Sequence, residues 1–126
     1  MALNMTEDRV VCVVDDDEAV RDSICVLLQS EGLSARAFAS APEFLNDPLA
    51  RSAACFVFDV HMPDMNGIEL LAFLRNGWTV APVILLTGGA DLSVIRAARD
   101  AGASAVLSKP DGDLLAMIRE LLELDR

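Results

Sequence analysis

In this 126-residue chain, carboxylates, one threonine hydroxyl and one lysine each directly follow a short apolar run. Asp15-Asp16-Asp17-Glu18 follows Val10–Val14, and Asp59 follows Phe56-Val57-Phe58. Thr87 follows Val83-Ile84-Leu85-Leu86, and Ser108-Lys109-Pro110 follows Val106-Leu107. An acid at the end of a buried run is costly unless something offsets its charge. Three carboxylates brought together repel one another and hold their protons more tightly until a cation cancels the charge. A hard divalent ion does this through oxygen ligands, and Mg²⁺ suits the task because it keeps waters and accepts phosphate oxygens. A lysine and a threonine hydroxyl beside it would hold the remaining oxygens of a phosphoryl group. One carboxylate could then act as nucleophile and form an aspartyl phosphate. Singly, each group has an ordinary explanation: Asp15 to Asp17 could cap a helix, and Lys109 could be a surface lysine. Their joint position carries the argument.

These groups meet only if the elements bearing them end on one edge. The runs Val10–Val14, Ala54–Phe58, Val83–Thr87 and Ser104–Leu107, with a weaker one at Leu33–Phe38, are continuous rather than alternating. That pattern predicts strands covered on both faces. Apolar stripes at helical spacing lie between them: Val20, Ile24, Leu27 and Leu28; Ile68, Leu71 and Leu74; Leu92, Ile95, Ala98 and Ala101; Leu114, Met117, Ile118 and Leu121. Ser40-Ala41-Pro42-Glu43 reads as a capping box with proline in the first turn, opening a short second helix. Gly32, Gly77 and Gly102 stand where a left-handed residue should end a helix. Five strands alternating with five helices demand right-handed crossovers and a parallel α/β sheet covered on both faces. Ligands of such sheets bind beyond the C-terminal strand ends, which is where the acids, the hydroxyl and the ammonium fall. No linker or repeat interrupts the pattern, so one domain is expected over about residues 9–124, after an eight-residue polar tail.

Composition narrows the function. At 53% hydrophobic residues the chain is too apolar for disorder. Its longest apolar runs are strand-sized, far short of the roughly 20 residues of a membrane span, and Met1–Arg9 lacks the apolar stretch of a signal peptide. Twenty acidic against ten basic side chains give a net charge of −10, which argues against nucleic-acid and anionic membrane surfaces. Cys12, Cys25 and Cys55 are odd in number and widely spaced among apolar neighbours, which suits small buried hydrophobes in a reducing cytoplasm. His61, the single histidine, builds no zinc cluster.

The four runs Val13-Val14-Asp15-Asp16-Asp17, Phe58-Asp59-Val60-His61-Met62-Pro63-Asp64-Met65-Asn66-Gly67, Leu86-Thr87-Gly88 and Ser108-Lys109-Pro110 resemble the receiver domain of two-component response regulators. Met62–Leu71 and Thr87–Asp91 look most like receivers of the nitrogen-fixation type. The resemblance spans nearly the whole chain. It implies a flavodoxin-like (βα)5 doubly wound sheet of strand order 2-1-3-4-5. It also implies a phosphorylation switch, Mg²⁺-dependent, that takes its phosphoryl group from a sensor histidine kinase or a histidine phosphotransfer protein. Asp59 would be the phosphoacceptor. Asp16 would bind the metal directly, Asp15 mainly through a metal-bound water, and the backbone carbonyl of His61 would add another oxygen. Thr87 and Lys109 would hold phosphoryl oxygens, with the Lys109-Pro110 bond cis, while Pro63 and Gly67 shape the loop after the third strand. Three residues before Lys109 the family usually carries Tyr or Phe; here the switch position is Val106, and the chain has no tyrosine. His61 and Gly89 hold the positions that tune hydrolysis, and Gly88 with Gly89 predicts an open pocket.

The domain is expected to be self-modifying rather than an enzyme, either free-standing or excised from a longer regulator, with no output segment. The fifth helix carries Leu115, Leu122 and Leu124 beyond its core stripe, which suggests a homodimer through helices four and five. Two other readings are a small Mg²⁺-dependent phosphatase, disfavoured by His61 where a second acid is expected, and a phosphorylation-independent interaction module, favoured by Val106. His61 is expected as a rim side chain, Trp78 as packing, and Asp47 and Asp64 as turn residues.

Overall fold

The structure, a computed structural model, describes residues 9–89, 91–108 and 111–123. Five strands, β1 (Val10–Val14), β2 (Ser34–Phe38), β3 (Cys55–Asp59), β4 (Val83–Leu86) and β5 (Ala105–Leu107), alternate with five helices. These are α1 (Glu18–Ser30), α2 (Ala41–Leu45), α3 (Gly67–Arg75), α4 (Leu92–Ala101) and α5 (Gly112–Leu122). All strand pairs are parallel, in the order β2-β1-β3-β4-β5. The expected α/β architecture and strand order are both present. The strands are trimmed relative to the apolar runs: β2 and β5 start one residue later, β4 ends before Thr87, and β3 shifts by one to include Asp59.

The strands read as continuous apolar runs because alternate residues enter two different cores. Cys12, Val14, Phe56, Phe58, Val83 and Leu85 face α2, α3 and α4, packing with Phe44, Leu70, Leu71, Leu74 and Ala98. Val11, Val13, Cys55, Val57, Ile84 and Leu86 face α1 and α5, packing with Ile24, Leu28, Leu114, Ile118 and Leu122. Phe44 anchors the first core, with ring centroids 5.4–5.7 Å from Phe38, Phe56, Phe58 and Trp78. Trp78 therefore packs, as expected, and Arg51 lies over its ring at 5.7 Å. Cys12 and Cys55 are buried and Cys25 is half-buried, all with free thiols. Among the described residues, no helix is long and apolar enough to cross a membrane.

Four expectations need correction. The stripe on α4 is only half a core stripe: Ala98 is buried and Ala101 packs against the first core, but Ile95 joins neither core and Leu92 is 67% exposed. The apolar band on α5 is narrower than it reads, because Leu122 is buried against the second core and Leu115 is half-buried; Leu124 lies outside the described residues. Asp47 does more than turn the chain: its Oδ2 accepts from Arg36 Nη2 at 2.5 Å, tying β2 to the segment after α2. The Ser40 cap is half of a capping box. Its hydroxyl accepts from Glu43 N at 3.2 Å, while the Glu43 carboxylate reaches Ala39 N instead. The complete box is at Asn66 and Glu69, each side chain accepting from the other's backbone N–H at 2.8–2.9 Å.

Gly67, first residue of that helix, is sterically obligatory. A Cβ there would lie 2.3 Å from the Asp59 backbone oxygen. The loop after β3 thus folds back onto the strand end, with Gly67 N donating to Val60 O at 3.0 Å. Gly67→Ala should destabilise the protein by about 2 kcal/mol, because the backbone has to move to admit the methyl group. Urea unfolding of the two proteins side by side measures this.

Candidate functional site

Beyond β1 the four acids split into two jobs. Asp17 caps α1, its Oδ1 accepting from Ala19 N at 2.9 Å and Val20 N at 3.4 Å. Asp15 stays with the sheet: its N–H donates to Phe38 O at 3.1 Å, and its carboxylate accepts from Asp17 N at 2.9 Å. This folds the turn so that Asp15 and Asp16 reach the end of β3. Carboxylate oxygens of Asp15, Asp16 and Asp59 all lie within 4.8 Å of one another. Asp15 is buried, Asp59 half-buried and Asp16 exposed, so the cluster runs from the sheet end out to solvent.

Neighbouring β4 supplies Thr87, which is 1% exposed. Its N–H donates to Leu107 O at 2.9 Å, fixing the end of β4 to β5. Its Oγ1 lies 3.4 Å from His61 Nε2. The exposed His61 is a rim residue, as expected, but its ring leans back over the site, and its backbone N–H donates to Asp59 Oδ1 at 3.2 Å. A cleft of about 270 Å³ joins these groups; Asp15, Asp16, Asp59, Thr87, Gly88 and Ser108 line it. A side chain at Gly88 or Gly89 would meet nothing within 4 Å, so that wall is open. Lys109 and Pro110 lie outside the described residues; Ser108, which lines the cleft, brings the chain to its edge.

The electrostatics follow from this crowding. Burial pushes the Asp15 carboxyl up to about 6, opposed by the bond from Asp17 N and reinforced by the charges of Asp59, Asp16 and Asp17. Burial also raises Asp59, opposed by the bond from His61 N and reinforced by Asp16. An all-carboxylate donor set strained in this way fits a hard divalent cation and lacks the nitrogen or sulfur ligands that zinc prefers.

Arg21 is a site residue that sequence reasoning missed. Its Nη1 donates to the Asp15 backbone oxygen at 2.8 Å, pinning the turn that presents the acids. The signal was available: side chains on a helix lean toward its N-terminus, so an arginine one turn after the Asp17 cap reaches back to the strand end. Arg21→Met should lower stability by about 1–2 kcal/mol, since the bond is charge-assisted. A shift of the urea midpoint relative to wild type measures it. Val106 sits on β5 opposite Leu85, half-buried and packed against the first core.

Comparison with known proteins agrees with this geometry. Residues 11–119 match the family model described as the response regulator receiver domain. The chain is 38% identical over 120 residues to the transcriptional regulatory protein FixJ of Azorhizobium caulinodans, covering 94% of this chain and 57% of that protein. It is 36% identical over 120 residues to the response regulator protein TmoT of Ectopseudomonas mendocina, covering 94% and 54%. The chain thus spans about half the length of these curated relatives. Among solved structures, a CheY-like receiver domain protein from Methanospirillum hungatei superposes with a TM-score of 0.83 at 34% identity, covering 91% of this chain and 94% of that one.

Proposed function

The chain belongs to the response regulator receiver family, whose members act as phosphorylation switches, and from that premise we infer that Asp59 is the residue that accepts the phosphoryl group. The observation that carries the assignment is the convergence of three carboxylates within 4.8 Å beside a buried threonine hydroxyl. Asp59 alone of the three ends the central strand β3 with both Asp16 and Thr87 as neighbours across the cleft.

In this reading Asp16 and Asp59 would hold Mg²⁺, Asp15 would act on it mainly through a water, and the His61 backbone carbonyl would supply a further oxygen. Bound Mg²⁺ offsets the charge that phosphoryl oxygens bring to an already acidic cleft. A carboxylate oxygen of Asp59 attacks phosphorus in line. The bond from phosphorus to the donor's imidazole nitrogen breaks, and its electron pair stays on that nitrogen. Thr87 Oγ1 donates to one phosphoryl oxygen, and Lys109 pairs with another. The donor is a sensor histidine kinase or a histidine phosphotransfer protein. The receiver domain is taken as residues 9–124, and its product is its own modified state rather than a released compound.

Intact-mass measurement after incubation with acetyl phosphate tests this. One added phosphoryl group is expected with Mg²⁺ present and none when a chelator removes it. No gain in the presence of Mg²⁺ overturns the assignment.

A further inference from the structure

The dipeptide Asn-Gly occurs twice, as Asn66-Gly67 and Asn76-Gly77, one at each end of α3. Asparagine is chemically labile where glycine follows, because no Cβ shields the next backbone nitrogen from the side-chain carbonyl carbon. Whether that nitrogen attacks depends on how firmly its peptide group is held, and the fold treats the two copies in opposite ways.

The first copy is locked. Asn66 O accepts from Leu70 N at 2.9 Å, and Gly67 N donates to Val60 O at 3.0 Å. The Asn66 side chain is engaged as well, its Oδ1 accepting from Glu69 N at 2.8 Å. Gly67 is buried against the Asp59 backbone. Reaction here would break all three bonds at a site where lost partners are costly.

The second copy is fully exposed. Its flanks are fixed: Asn76 N donates to Phe73 O at 3.1 Å and Trp78 N to Leu74 O at 2.9 Å, while Arg51 donates to Gly77 O and Trp78 O, both at 2.8 Å. Between these anchors, Asn76 O, Gly77 N and the Asn76 side chain make no hydrogen bond with the described residues. A planar peptide group held in this way can turn over as a unit. At ψ 53° the Gly77 nitrogen lies on the far side of the Asn76 Cα–C bond from Cβ. A half-turn brings it to the same side as Cβ, within reach of Cγ. The same half-turn changes the sign of the Gly77 φ, now 92°, and glycine adopts either sign readily.

We propose that Asn76-Gly77 is a site of spontaneous covalent modification, in which the backbone nitrogen of Gly77 closes on the Asn76 side chain. That nitrogen gives its proton to solvent and bonds to Cγ. The bond from Cγ to the side-chain nitrogen breaks, and the nitrogen takes up a proton and leaves as ammonia. The cyclic imide then adds one solvent water. Opening at Cγ leaves an aspartate at position 76, and opening at the backbone carbonyl leaves a β-linked isoaspartate. Either product puts a negative charge at the C-terminal end of α3, where the helix dipole disfavours it. The β-linked product also lengthens the backbone by one atom ahead of Trp78, whose ring packs against Phe44 and Phe56.

The experiment incubates the full chain at pH 8 over several days, folded or in urea, and follows each copy by peptide mass. Cleavage after glutamate separates them, on peptides ending at Glu69 and beginning at Leu70. Asn76 is the only side-chain amide between Leu70 and Glu120, and fragmentation of the other peptide tells Asn66 from Asn46. In the folded chain the mass gain of an amide turned to an acid is expected at Asn76 at least tenfold faster than at Asn66. In urea, where neither peptide group is held, the two should convert at similar rates. Asn76→Gln, at an exposed position, lengthens the ring that must close and should abolish the gain. Equal conversion of the two copies in the folded chain overturns the proposal, as does conversion of Asn76 that occurs only in urea. None of these readouts involves phosphorylation, so failure here is distinct from failure of the Asp59 assignment.

Discussion

With Asn in place of Asp59, incubation with acetyl phosphate and Mg²⁺ should add no phosphoryl group, a loss of at least a hundredfold against wild type by intact mass. The amide lacks the anionic oxygen that must attack phosphorus, and no neighbour substitutes for it. Asp15 is buried and raised to about 6, while Asp16 is exposed on the turn after β1. The same replacement should raise the stability of the metal-free protein at pH 7.5. Burial lifts the Asp59 carboxyl, so its ionised form costs folding energy that a neutral amide avoids. Loss of phosphorylation together with a raised urea midpoint separates a missing nucleophile from a damaged fold. A variant that still gains one phosphoryl group, mapped by peptide mass to Asp16, would place the acceptor elsewhere.

Asp15→Asn should invert its effect on stability according to whether metal is present. The carboxyl lies at about 6 in the folded chain against 3.8 as the ordinary value. Between these values the folded state binds more protons than the unfolded one, so wild-type stability falls as pH rises from about 4 to about 6. Above that window the ionised group costs on the order of 2 kcal/mol. In metal-free buffer at pH 7.5 the amide variant should therefore be the more stable, with the advantage fading as pH falls from about 6 to about 4 and gone below that, where both proteins carry a neutral group. In excess Mg²⁺ the order should reverse. Losing a ligand-shell carboxylate typically weakens metal binding ten- to a hundredfold, and the variant then gains less of the stabilisation that a ligand confers on the folded state. Urea midpoints across pH 4–7.5, with and without Mg²⁺, test both halves.

The site was legible in sequence because strand ends are easy to find and acids there are expensive. Asp15, Asp16, Asp59 and Thr87 could be grouped from the apolar runs before them, and the left-handed glycines at φ 78, 92 and 104° fall at the predicted helix ends. Gly67 was legible only as part of a family pattern; its physical reason is a backbone oxygen 2.3 Å from an absent Cβ, a long-range approach that no local rule reports. The helix faces were misread where propensity and burial part company. Leu92 and Ile95 repeat at helical spacing, yet α4 packs against the first core through Val94, Ala98 and Ala101, a face turned away from the one that spacing marks.

The sequence by itself determined the element order, the parallel α/β class and which residue types reach the strand ends, since these follow from period, punctuation and run length. Only the tertiary structure decided which of four consecutive acids caps a helix and which join Asp59, that Arg21 pins their turn, and that Val106 packs half-buried against the first core. Those outcomes depend on distances between segments far apart in the chain, and local pattern carries no measure of such distances.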